Sequence, residues 1–101
     1  MIDLPPGDLA LVKSILRDHV PERRILAFGS RVMGMVKAYS DLDLCLMGDT
    51  PLELNRLAHL EEAFSESTLP IKVDIVSWAS LTEFFRRIIE ENSVIIQEAQ
   101  A

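Results

Sequence analysis

The chain has 101 residues, enough for one domain with a single core and little material beyond it. A hydrophobic share of 49% beside 26% charged residues excludes disorder, and the net charge of −6 argues against a broad nucleic-acid-binding face, which needs clustered Lys and Arg. Cys45 stands alone, so no intramolecular disulfide forms; there is no signal-peptide pattern and no apolar run near the ~20 residues that cross a bilayer. The expectation is a soluble, cytoplasmic protein.

Pro5-Pro6-Gly7-Asp8 reads as a stop followed by an N-cap at Asp8, and Leu9, Val12, Ile15 and Leu16 form the stripe of a helix that Pro21 ends. Ile25 to Phe28 is a short buried strand delivering the chain to Gly29-Ser30. A turn or short helix runs to Gly34, then a polar connection passes through Lys37 and Tyr39. Asp41 to Met47 is a second strand, with Leu42, Leu44 and Leu46 on the face opposite Asp41 and Asp43. After a turn at Gly48-Asp49-Thr50-Pro51, a helix is predicted from Leu52 to about Phe64, with Leu54, Leu57, Leu60, Ala63 and Phe64 as its apolar residues. Leu69-Pro70 breaks the chain before a third strand, Ile71 to Val76. Ser80-Leu81-Thr82-Glu83 has the form of a capping box opening a helix to about Glu91, and residues 93–101 read as a short helix or tail. The result is one α/β domain over 1–101, and the alternation leaves open whether its sheet is parallel or mixed.

Chemistry concentrates at two places. Asp41 and Asp43 alternate on one strand and present two carboxylates to one face; Asp74, in a β-branched run, can join them from a neighbouring strand. Three such groups repel one another unless a cation lies between them, and leaving them buried and unpaired would cost several kcal/mol each. Hard divalent ions suit the task, since magnesium takes carboxylate, water and phosphate oxygens. Phe28-Gly29-Ser30-Arg31 adds a strand end, a residue without a side chain, a hydroxyl and a cation, which together fit a phosphate chain. Two ions about 3.5–4 Å apart, bridged by Asp41 and Asp43 with Asp74 on the one nearer the attacking hydroxyl, would support phosphoryl or nucleotidyl transfer. Each piece alone has a plainer reading: Gly-Ser as a turn, Asp-x-Asp as a loop, Asp74 as a solvated edge residue. Arg31 serves equally well to tie the turn to the helix beneath it; Lys37 and Lys72 would add positive charge near a triphosphate or, more plainly, are solvated; Ser40 more simply caps a turn and Cys45 fills core. His19 and His59 lack zinc-ligand spacing, and no Walker-type loop or kinase signature is present.

Taken together, Ala27-Phe28-Gly29-Ser30-Arg31-Val32 with Gly34, Tyr39-Ser40-Asp41-Leu42-Asp43-Leu44, Ala63-Phe64-Ser65-Glu66-Ser67, and Val73-Asp74 leading to Trp78-Ala79 resemble the DNA polymerase β-like nucleotidyltransferase superfamily. The similarity spans about Leu9 to Gln97 and is greatest to its minimal stand-alone members, the MNT proteins, which are paired with a helical HEPN-type protein. The resemblance implies a small mixed β-sheet flanked by helices, nucleotide phosphates at Gly29 and Ser30 with Arg31 beside them, and two Mg²⁺ ions (Mn²⁺ as a substitute) on Asp41, Asp43 and Asp74.

It also implies transfer of a nucleoside monophosphate, AMP from ATP, to a hydroxyl of a partner or small acceptor, in related pairs a tyrosine of a HEPN toxin. The core leaves no evident room for an acceptor, so a partner is expected to complete the site, a HEPN-type or substrate-binding helical protein. Phe84, Phe85, Ile88, Ile89, Val94, Ile95 and Ile96 offer more apolar surface than so small a core needs, and a homodimer is the plainer use of it. The competing function is a non-catalytic, nucleotide-binding antitoxin acting by contact; the intact carboxylate trio and Gly-Ser favour the enzyme.

Overall fold

The computed structural model describes residues 2–33 and 41–100, without the side chains of Ser30 and Met33; Gly34, Lys37, Tyr39 and Ser40 lie outside the described residues. Its elements are α1 (Pro6–His19), β1 (Ile25–Phe28), the one-turn α2 (Ser30–Met33), β2 (Leu42–Leu46), α3 (Leu54–Glu66), β3 (Val73–Ser77), a 3₁₀ turn (Trp78–Ser80), α4 (Glu83–Glu91) and β4 (Ser93–Gln97). The strands form a mixed sheet in the order β3-β2-β1-β4. β1 runs antiparallel to both β2 and β4, while β2 and β3 are parallel. Parallel neighbours need a crossover, and α3 supplies it.

Alternation along the strands sends side chains to two different layers. Leu42, Leu44 and Leu46 of β2 join Ile25 and Ala27 of β1, Val12 and Leu16 of α1 and Leu60 and Phe64 of α3 in the main core. On the other face Leu26 and Cys45 pack with Ile89 of α4, bordered by Phe28, Val76 and Trp78. The first face is thus sealed by two helices, and the second is covered by one helix.

Several local expectations are corrected. Residues 93–97 form strand β4, not a helix or tail. Val94, Ile95 and Ile96 suit a pleated surface, and Gln97 Nε2 donates to the carbonyls of Val20 and Arg23 at 2.9 Å each, pinning the strand to the α1–β1 connection. The cap of α4 is Thr82, whose Oγ1 accepts from the Phe85 amide at 3.2 Å; Ser80 is taken up by the 3₁₀ turn. At α1 the cap position is Pro5 with proline at the first helical residue, and Asp8 lies in the first turn. Leu54, read as part of the apolar stripe of α3, is 81% exposed, because the core takes Leu52 from the preceding segment instead.

Truncating Leu44, fully buried in a central strand, should lower unfolding stability by about 2–5 kcal/mol in urea titration, whereas Leu54→Ala should shift it by less than about 0.5 kcal/mol.

Candidate active site

Register places the acidic residues side by side. Asp43 of β2 pairs with Asp74 of β3 on one side and with Phe28 of β1 on the other. Residues directly opposite on paired strands share a face, so Phe28, Asp43 and Asp74 make a row across the sheet on the side away from the leucine core. Asp41 immediately precedes β2, two residues before Asp43. The third carboxylate arrives because β2 and β3 are parallel with this register: a slip by one residue would turn Asp74 into the core.

The row ends at a turn that only glycine fits. Gly29 has φ +84°, and a Cβ there would overlap Asp43 Oδ2 and stand 3.2 Å from Cγ. The Asp43 carboxylate therefore lies directly over the turn that leads into α2, which brings the acidic row and the expected phosphate loop into one place. Ser30 opens α2, and the Val32 amide donates to the Gly29 carbonyl at 3.0 Å.

Electrostatics follow from this crowding. Burial first, and then the charges of Asp74 and Asp41, push the Asp43 carboxyl above the ordinary aspartate range. Asp74 has a cationic neighbour, Lys72, whose Nζ lies 3.5 Å from Oδ1. Arg31 is buried and donates from Nη1 to the Asp3 carbonyl at 2.8 Å, while the Asp3 amide donates to the Arg31 carbonyl at 2.7 Å. It thus clamps the N-terminal segment beneath the turn.

Other candidates fall elsewhere. Cys45 shares the Asp43 face but is fully buried, and burial pushes its thiol up to about 11, so it is core. His19 and His59, distant in sequence, line one shallow groove with Glu62 and Glu66. Among the described residues, no three acidic, imidazole or thiol groups converge into a ready metal cage. The donor set still fits magnesium: it offers hard oxygen ligands with unbalanced negative charge, and that ion keeps waters and completes its shell with substrate phosphates.

Two contacts go beyond what the residues suggest, although Lys72 itself is among the candidate cations. The Phe28 ring, which stands across from Asp43, meets Phe85 of α4 edge-on at 6.1 Å between centroids, a long-range contact with no local signal. The Lys72–Asp74 pair did have one, since residues two apart on extended chain share a face.

The family described as "Polymerase beta, Nucleotidyltransferase" matches residues 11–101. Over 99 residues the chain is 48% identical to the probable protein adenylyltransferase MntA of Haemophilus influenzae, covering 98% of this chain and 87% of that protein. It also superposes with a TM-score of 0.75 on a chain of a toxin–antitoxin crystal structure with AMP-PNP, at 22% identity over 91% of this chain and 74% of the other. A third relative comes from a complex of a tri-AMPylated Shewanella oneidensis HEPN toxin with its MNT antitoxin, with a TM-score of 0.68 and 21% identity over 93% and 72% of the two chains. At those identities the two structures share the polymerase β-like fold with this chain.

Because its folded-state pKa is raised, Asp43 favours the protonated form in the fold. Its contribution is best below the unfolded value near 3.8 and is lost as pH rises through the higher folded value. In EDTA, Asp43→Asn should therefore melt higher than the parent at pH 7, with the gap closing toward pH 3.5 in thermal scans. Gly29→Ala should reduce nucleotide affinity at least tenfold by equilibrium dialysis, since both the backbone and Asp43 must move.

Proposed function

Because the chain belongs to the polymerase beta nucleotidyltransferase family, we propose that it transfers AMP from ATP to a hydroxyl of a partner protein. The observation that carries the reading is the in-register Asp43–Asp74 pair, with the Asp43 carboxylate lying over the Gly29 turn. The named activity of the MntA relative, protein adenylyltransferase, supports the nucleotide and the class of acceptor.

Asp41, Asp43 and Asp74 would hold magnesium, two ions in all; when bound they supply an activated attacking oxygen and a stabilised leaving pyrophosphate. Gly29 lets the phosphate chain approach the backbone, Ser30 opens the first turn of α2 toward it, and Arg31 holds that turn from below. Asp74, at the edge strand, receives the acceptor hydroxyl and takes its proton as the oxygen attacks the α-phosphorus. The bond to pyrophosphate breaks in the same step, leaving a phosphodiester between AMP and the acceptor.

The partner in this reading is a helical HEPN-type protein; a HEPN toxin accompanies the MNT antitoxin in the Shewanella oneidensis complex. An uncovered apolar face supports it: Phe84 is 74% exposed, and Phe85, Ile88 and Ile95 are each exposed as well. The same face favours a second reading, an antitoxin that acts by contact alone.

Incubation with each α-³²P-labelled nucleoside triphosphate and Mg²⁺ or Mn²⁺, in the presence of the co-purifying partner, separates the two. Label from ATP should appear on the partner and fall at least about 100-fold with Asp43→Asn. A stable complex that binds nucleotide and transfers no label would leave the contact antitoxin standing.

A further inference from the structure

The Lys72–Asp74 pair has no place in the transfer steps, yet it sits on a carboxylate that those steps require. Lys72 Nζ lies 3.5 Å from Asp74 Oδ1. The Lys72 carbonyl accepts from the Leu42 amide at 2.9 Å, so its main chain is locked to β2 between Asp41 and Asp43. Its side chain, by contrast, is 73% exposed and can leave. The other ion pairs among the described residues, Arg24–Glu98 and Arg56–Glu22, involve none of the three aspartates.

We propose that Lys72 is a resident counter-ion of Asp74, a positioning residue that holds this carboxylate in the metal-free protein and competes with the divalent cation for it. The inference rests on the reading of Asp74 as a metal ligand. A cation arriving alone must displace the ammonium from Oδ1 and then tolerate a positive charge close by. A cation arriving with a polyphosphate meets a different balance, because the displaced ammonium gains a new anionic partner. Lys72 thereby links occupation of Asp74 to the presence of nucleotide: ion alone binds weakly, ion and triphosphate bind together.

Isothermal titration with Mn²⁺, without nucleotide and at fixed ionic strength, tests this on the intact chain. Lys72→Met and Lys72→Gln should each bind Mn²⁺ about three- to tenfold more tightly than the parent, and Lys72→Arg close to it. Adding a non-hydrolysable ATP analogue should narrow or reverse that gap. In an Asp74→Asn background the Lys72→Met change should have little effect. Unchanged affinity in the neutral variants, or an equal gain with Asn at position 74, would overturn the counter-ion role. If Asp74→Asn alone bound Mn²⁺ as tightly as the parent, the metal reading of Asp74 would fall first, and the counter-ion role with it.

Discussion

The parallel pairing of β2 with β3 sets two aspartates against each other, with Asp43 and Asp74 as direct register partners. Strands paired this way lie about 4.8 Å apart, a distance at which like charges repel in any medium. The fold holds the arrangement because the opposite faces of the same strands are committed elsewhere. Leu42, Leu44 and Leu46 are fully buried, and Val73 and Ile75 pack against them. Shifting β2 by one residue would relieve the repulsion and send its leucines into water, a far larger loss. Packing on one face therefore maintains electrostatic tension on the other, a tension that a bound cation would relieve.

Gly29 belongs to the same constraint. Its positive φ turns the chain out of β1 just where the Asp43 carboxylate needs space, so one residue serves both the geometry of the turn and the room for the acid. Arg31 closes the arrangement from below by clamping the N-terminal segment through the Asp3 backbone. The Gly29 turn is thereby supported on a buried guanidinium, which explains why a cation stands in the motif and is nonetheless 6% exposed.

Much of this was legible in the residues because its determinants are local. The alternation of Asp41-Leu42-Asp43-Leu44 states which side is acidic and which is apolar, the β-branched run around Asp74 and the Gly29-Ser30 turn point to the same place, and the family resemblance joins them into one site. What stayed hidden depends on contacts far apart in the chain. Residues 93–97 become a strand because β1, about seventy residues earlier, presents an open edge and Gln97 finds the Val20 and Arg23 carbonyls. The cap of α4 moved from Ser80 to Thr82 because a 3₁₀ turn claimed Trp78–Ser80, where Arg86 Nε donates to the Trp78 carbonyl at 3.0 Å. Leu54 fits a helical stripe by spacing, but the axis of α3 turns it to solvent. Periodicity identifies a face; only tertiary packing decides where that face begins.

The two faces of the sheet also account for the apolar surface on α4. The acidic face lacks the two-helix cover of the leucine face, an openness that the proposed transfer to an acceptor would need. α4 seals Leu26 and Cys45 through Ile89 and stops there, leaving Phe28 at the boundary with Phe85 set edge-on against it. The aromatic patch thus begins where the acidic row ends, since Phe28 is itself the register partner of Asp43. A protein seated on Phe84, Phe85 and Ile88 would lie beside the carboxylates without displacing anything from the core. Docking an acceptor there would cover the apolar face and exclude water from the site in one event, and each would strengthen the other.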